Sequence, residues 1–195
     1  MLRPLASCAV ALMTLAAPLA AQAGGLSTAP ANNGTGGVFL DLTPATASLF
    51  FEVFETPTAA AVGVPIQVEV WTRPGSYVGF TTSNAGWTLA QTVSGTGGAT
   101  NTPVPFTLTP PLTLLVGSTT GVYLHGITAG GGIRYTGTNA APPQTTWSNA
   151  DITLFSDVAR TGAVPFGGTQ FTPRTFSGTI QYSTTPVTLE SFGVE

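Results

Sequence analysis

Val68-Glu69-Val70-Trp71-Thr72-Arg73-Pro74-Gly75-Ser76-Tyr77-Val78-Gly79-Phe80 is the stretch that decides how this chain folds. Val68 and Val70 point one way and Glu69 and Trp71 the other, the period-two alternation of a strand with one face on a core and one toward water. Pro74-Gly75 stops that strand. A loop carrying Tyr77 and Phe80 follows, and Ser83-Asn84-Ala85-Gly86 turns the chain into a returning strand, Trp87 to Val93. The unit is a strand, an aromatic loop and a partner strand.

Moving outward, the same pattern recurs. Upstream, Val38 to Leu42 is a short apolar strand ended by Thr43-Pro44, and Leu49 to Phe54 is a second. Downstream, Val104, Phe106 and Leu108 alternate with Pro103 and Pro105; prolines cannot donate to a ladder, so this run belongs at a sheet edge. Further strands are expected at Leu112 to Val116, Val122 to His125, Ile133 to Thr136, Ile152 to Phe155 and Phe176 to Tyr182. Thr138 to Ser148 and Gly162 to Pro173 read as long loops, the first holding Trp147. No helical period appears beyond the leader. About 8–10 short strands punctuated by Gly, Pro and Asn predict an all-β fold, a two-sheet antiparallel sandwich of jelly-roll-like kind.

The first 23 residues read as a secretory signal peptide: Arg3 gives the positive start, Leu5 to Leu19 the apolar run, and Ala21-Gln22-Ala23 the small-x-small cleavage site. Cys8 sits too near the start for a lipidation site. Cleavage after Ala23 leaves 172 residues without a cysteine, so packing and ladder bonds must hold them together. Residues 24–37 read as a flexible Gly/Asn-rich lead, 38–185 as the sandwich, and 186–195 as a last strand or a tail. Lysine is absent from the whole chain. From Gly24 onward, four arginines face eight acidic residues, a net charge of −4. That excludes the basic footprint that nucleic acid or an anionic bilayer needs, and fits a secreted or periplasmic, cell-surface protein with neutral partners.

Five motifs carry a resemblance: Arg73 to Phe80, Gly86-Trp87, Gly132 to Thr136, Ser148 to Asp151 and Phe171 to Ile180. Together they resemble a recurrent domain of bacterial secreted and cell-surface proteins, of the kind found with a PEP-CTERM sorting tail. The likeness spans roughly residues 38 to 183, with the motifs in the same order. It implies an extracytoplasmic β-sandwich and brings no activity or catalytic residues with it. This chain departs from that kind in having no apolar span with a basic tail before Glu195.

Candidate chemistry is sparse. His125 is the single histidine, and no G-x-S-x-G elbow accompanies it, so a Ser-His-Asp arrangement is not expected. For a glycan-acting hydrolase the carboxylates at hand are Glu52 and Glu69, mid-strand, and Glu55 at a strand end, all readable equally as charges on a wet sheet face. No Cys/His cluster suits zinc, and no cofactor is expected; for calcium the ligands at hand are Asp151 and Asp157. The more suggestive set is Arg73, Arg134, Arg174 and Asp151, lying beside Tyr77, Tyr135 and Phe176. It reads either as a polar, aromatic rim for ligand or as an internal Arg–Asp151 clamp. With Trp71 and Trp147, these residues (Trp71, Arg73, Tyr77, Arg134, Tyr135, Trp147, Asp151 and Arg174) are the candidate ligand-binding set. A row of exposed rings would favour polysaccharide; buried rings would favour a structural, non-catalytic surface, matrix or adhesion role. With no lysine to blunt them, edge strands are expected to invite self-association.

Overall fold

In the computed structural model, which describes residues 23–138 and 144–184, fourteen strands form two antiparallel sheets packed face to face, an all-β sandwich. The smaller sheet is ordered β1 (Ala23–Ser27), β14 (Thr179–Thr184), β3 (Leu49–Thr56), β6 (Val104–Leu114). The larger is built on β2 (Asn33–Pro44), β7 (Thr120–Gly126), β4 (Pro65–Pro74) and β5 (Thr88–Thr96). On the far side of β2 lie β10 (Ile152–Phe155) with β9 (Thr146–Ser148), and β11 (Ala159–Thr161) with β12 (Gln170–Phe171). β8 (Ile133–Thr136) also pairs with β2 and carries β13 (Thr175–Phe176). The expected signal peptide, apart from Ala23, and the expected C-terminal strand or tail lie outside the described residues.

Alternation builds the core. Val38, Leu40 and Leu42 of β2, Val68 and Val70 of β4, and Val122 and Leu124 of β7 face inward from the larger sheet. Leu49, Phe51, Phe54, Phe106 and Ile180 meet them from the smaller one. Phe54 stacks on Phe106 at 4.9 Å. Burying each such ring contributes on the order of 2–3 kcal/mol.

Three expectations need correction. The Gly24 to Gly37 stretch is not a flexible lead: it forms β1, paired along β14 from Ala23 opposite Ser183, and the first half of β2. Its glycines mark close approach rather than looseness. A Cβ on Gly34, at φ 82°, would overlap the Tyr135 ring, and one on Gly37 would strike the Tyr123 and His125 side chains. Trp147 is not in a loop; it pairs with Leu154 across β9 and β10 and packs on the core. The segments expected at 104–108 and 112–116 are one edge strand, β6, whose pairing with β3 passes from Leu112 to Thr107 and skips the prolines between them.

At two places side-chain amides bridge the edges of the two sheets. Where β6 skips, Gln91 of β5 reaches across: its Nε2 donates to Pro110 O and its Oε1 accepts the Thr109 N–H at 2.8 Å. On the opposite side, Asn149 Nδ2 donates to Gly25 O of β1 at 3.1 Å and to Tyr182 Oη at 2.8 Å. Each amide stands in for a missing strand partner and joins one sheet to the other.

Candidate functional site

The outer face of the larger sheet carries a second core. Phe39 of β2 and Tyr123 of β7 stack at 3.9 Å with their planes 4° apart. The loop after β4 lays Tyr77 and Trp87 over them, and the loop after β11 adds Phe166. Trp87 Nε1 donates to Phe80 O at 2.7 Å, tying the first loop back on itself. Both faces of β7 are therefore buried, although its alternation predicts one wet face.

Polar groups are fastened beneath these loops. The Asp41 carboxylate accepts the Ser76 hydroxyl and the Tyr77 N–H, the latter at 2.8 Å. Burial raises the Asp41 pKa above the usual carboxylate range, while those two bonds pull it down. Tyr77 is wholly buried; its hydroxyl donates to Asp157 Oδ1 and accepts the Asp157 N–H at 2.9 Å. Burial first, then the bond to Asp157, raises the Tyr77 pKa. His125 is wholly buried and shares a hydrogen bond between its Nδ1 and the Tyr123 hydroxyl. Desolvation, then the charge of Arg160, lowers its pKa to about 4, so the ring is neutral at pH 7.

Arg160 is the clamp that sequence reasoning assigned elsewhere. Its Nε donates to Thr81 O at 2.7 Å and its Nη1 to Gly167 O and Gly168 O at 2.9 and 3.0 Å, locking the two loops to each other. The expected Arg–Asp151 pair does not form; Asp151 Oδ2 accepts the Tyr182 hydroxyl at 3.1 Å instead. An arginine in the short apolar run Val158-Ala159-Arg160 was the available signal, since a charge there must find partners.

The candidate residues do not converge on one rim. Tyr135 and Arg174, both buried, line a cleft of about 360 Å³ with Asn33 and Phe171. Arg134 donates to Asn101 Oδ1 at 2.7 Å. Trp71 lies in a groove of about 560 Å³ with Glu69, Ser83, Asn84 and Phe166. There its Nε1 donates to Glu69 Oε2 at 2.8 Å and its ring meets Phe166 edge-on at 5.3 Å. Glu69 was readable as the same-face neighbour of Trp71; Asn84 and Phe166 arrive from distant loops and gave no local sign.

Arg73 opens on a third cleft, of about 600 Å³, with Thr72, Thr88, Thr113, Leu115 and Ser118. As possible calcium ligands, Asp151 and Asp157 face different tyrosines, and among the described residues no three Asp, Glu, His or Cys side chains gather in metal-binding distance. No helix among the described residues is long and apolar enough to cross a membrane. No family model matches the chain, and no curated protein shows significant similarity to it. The fold defines the class: a two-sheet antiparallel β-sandwich with a loop-roofed aromatic layer outside one sheet.

Proposed function

We propose that this chain is an exported, non-catalytic β-sandwich protein that serves as a surface, matrix or adhesion component. The observation that supports this reading best is the investment of its aromatic and ionisable groups in fastening. Tyr77, Tyr123 and Tyr135 are buried, Asp41 and Asp157 are bonded to the Tyr77 segment, and Arg160 holds two loops. Side chains fixed in this way make a rigid body, and the chain's low charge suits it to largely uncharged contacts outside the cell. The leader-like first 23 residues and the likeness to exported domains favour the same location.

The test is to express the full chain in a bacterium, fractionate the cells and map the N-terminus by mass spectrometry. A chain beginning at Gly24 in the periplasm, envelope or medium is the expected result. An uncleaved cytoplasmic chain refutes export.

A second reading, binding of a neutral polysaccharide, is favoured by one observation. In the Trp71 groove a half-buried indole lies beside a carboxylate, an amide and a hydroxyl, the mixture of flat ring and hydrogen-bonding groups that sugars use. Glycan-array binding that is lost in Trp71→Ala supports it, and binding that survives that change counts against it.

A further inference from the structure

Arg73 differs from the other arginines in what its donors do. Arg134, Arg160 and Arg174 each donate to an oxygen of the protein. Arg73 is bound by stacking instead: its guanidinium carbon lies 3.4 Å from the centre of the Phe80 ring and 5.9 Å from that of Trp87. Its stem crosses Gly121, the residue opposite it on β7, where any Cβ would press against Cγ. Glycine there, and the aromatic loop above, hold the side chain in one place. Its Nε, like that of Arg174, is buried without a hydrogen-bond partner among the described residues, which leaves the two terminal Nη groups as the donors for a ligand.

Asp41 is near enough to feel the charge, but its oxygens are taken by Ser76 and Tyr77. A guanidinium that is fixed, stacked and without an acceptor is a fork prepared for a planar, two-oxygen partner.

The cleft it lines supplies the rest of the recognition. Thr72, Thr88, Thr113, Ser118 and Thr120 line it together with Pro74 and Leu115, a mixture of hydroxyl-bearing and apolar side chains, and no described acid lines it. We propose that the Arg73 cleft binds the carboxylate of a uronic-acid sugar in an acidic polysaccharide, with the fork on the carboxylate and the lining hydroxyls beside the sugar. The site goes beyond the surface role proposed above and is separate from the Trp71 groove, whose lining it does not share. Its failure would leave export, which is read from the mapped N-terminus, untouched.

The test titrates the folded protein from Gly24 onward with a trimer of galacturonate, with its methyl ester and with inorganic sulfate, by calorimetry at low salt. Saturable binding of the trimer alone is expected, with the sheltered Arg73 Nε–H resonance shifting in step. Arg73→Lys keeps the charge but loses the fork, and should weaken binding about tenfold. Arg134→Lys should leave it unchanged. Equal binding of the ester, equal binding of sulfate, an unaffected Arg73→Lys or no binding of the trimer would each overturn the proposal. The resonance reports on the unaltered protein, so the outcome does not depend on the variant folding.

Discussion

The two cores of this molecule lie on opposite faces of one sheet and are built on opposite principles. Between the sheets, Val68, Val70, Val122, Leu124 and Phe54 meet with no side-chain polar atom to satisfy; strand alternation puts the first four there, and a register shift in β3 turns Phe54 inward. Outside the larger sheet, Phe39, Tyr77, Trp87, Tyr123 and Phe166 also exclude water, but two loops must be held down over them by Asp41, Asp157 and Arg160. The first core rests on shape; the second rests on shape plus a set of buried bonds that each depend on a proton or a charge. Regions of the second kind are expected to open locally before the whole fold does.

The sharpest break of this comparison is Phe54→Ala, which removes a ring stacked between sheets and should lower stability by about 4 kcal/mol. Phe166→Ala, in the outer core, should cost only about 1–2 kcal/mol and expose the loops to hydrogen exchange while the sheets stay protected. Urea melts and exchange measured by mass spectrometry on the two variants decide the matter. Equal global losses would merge the two cores into one.

Acid should act on the outer core next. His125 is neutral and its folded pKa, about 4, lies below the unfolded value of about 6.5. A depressed pKa contributes stability that is fully present above pH 6.5 and is lost as pH falls toward 4, up to about 3 kcal/mol. Asp41, with its pKa raised, works in the opposite sense and softens the loss, since the fold favours its protonated form. Urea midpoints between pH 7.5 and 4 should fall in the natural chain and fall less in His125→Asn.

Tyr77→Phe deletes the hydroxyl that serves Asp157 twice and strands a carboxylate oxygen and an N–H, at about 2 kcal/mol. Thermal melting should show that loss, and Asp157→Asn should be additive with it by much less than the sum of the two, because both changes break one contact. The smallest effect belongs to the seam: Gln91→Ala, which frees Thr109 N and Pro110 O at a partly wetted edge, should cost about 1 kcal/mol and raise exchange at Thr109.

Much of the fold was legible because its signal is local. Ile66, Val68 and Val70 alternate with Gln67, Glu69 and Trp71, and Pro74-Gly75 ends the strand where the alternation stops, so β4 and its return in β5 could be read without any partner. The first strands were missed because a glycine carries the same letter whether it swings freely or fits against a tyrosine, as Gly34 does. The loop-roofed layer was half legible: Tyr77 and Trp87 stood out as aromatics, but Phe166 and Arg160 reach them across some eighty residues of chain, and pairing at that range leaves no periodic mark. Asp151 was matched with arginine on the scarcity of charge alone, and a tyrosine hydroxyl took that place. Arg73 was singled out from its motif; that its stem can pass into the lining of a cleft depends on Gly121, about fifty residues away.

The Gln91 seam also ties the molecule to slow chemical ageing. Glutamine and asparagine amides hydrolyse with time and heat. Converting Gln91 to a carboxylate would set an oxygen where an N–H now meets Pro110 O, turning an attraction into a repulsion at the one place where β6 leaves its partner. Such a change would loosen the rim locally at Thr109 and Pro110, so the covalent state of one side-chain amide would set how firmly this seam stays shut.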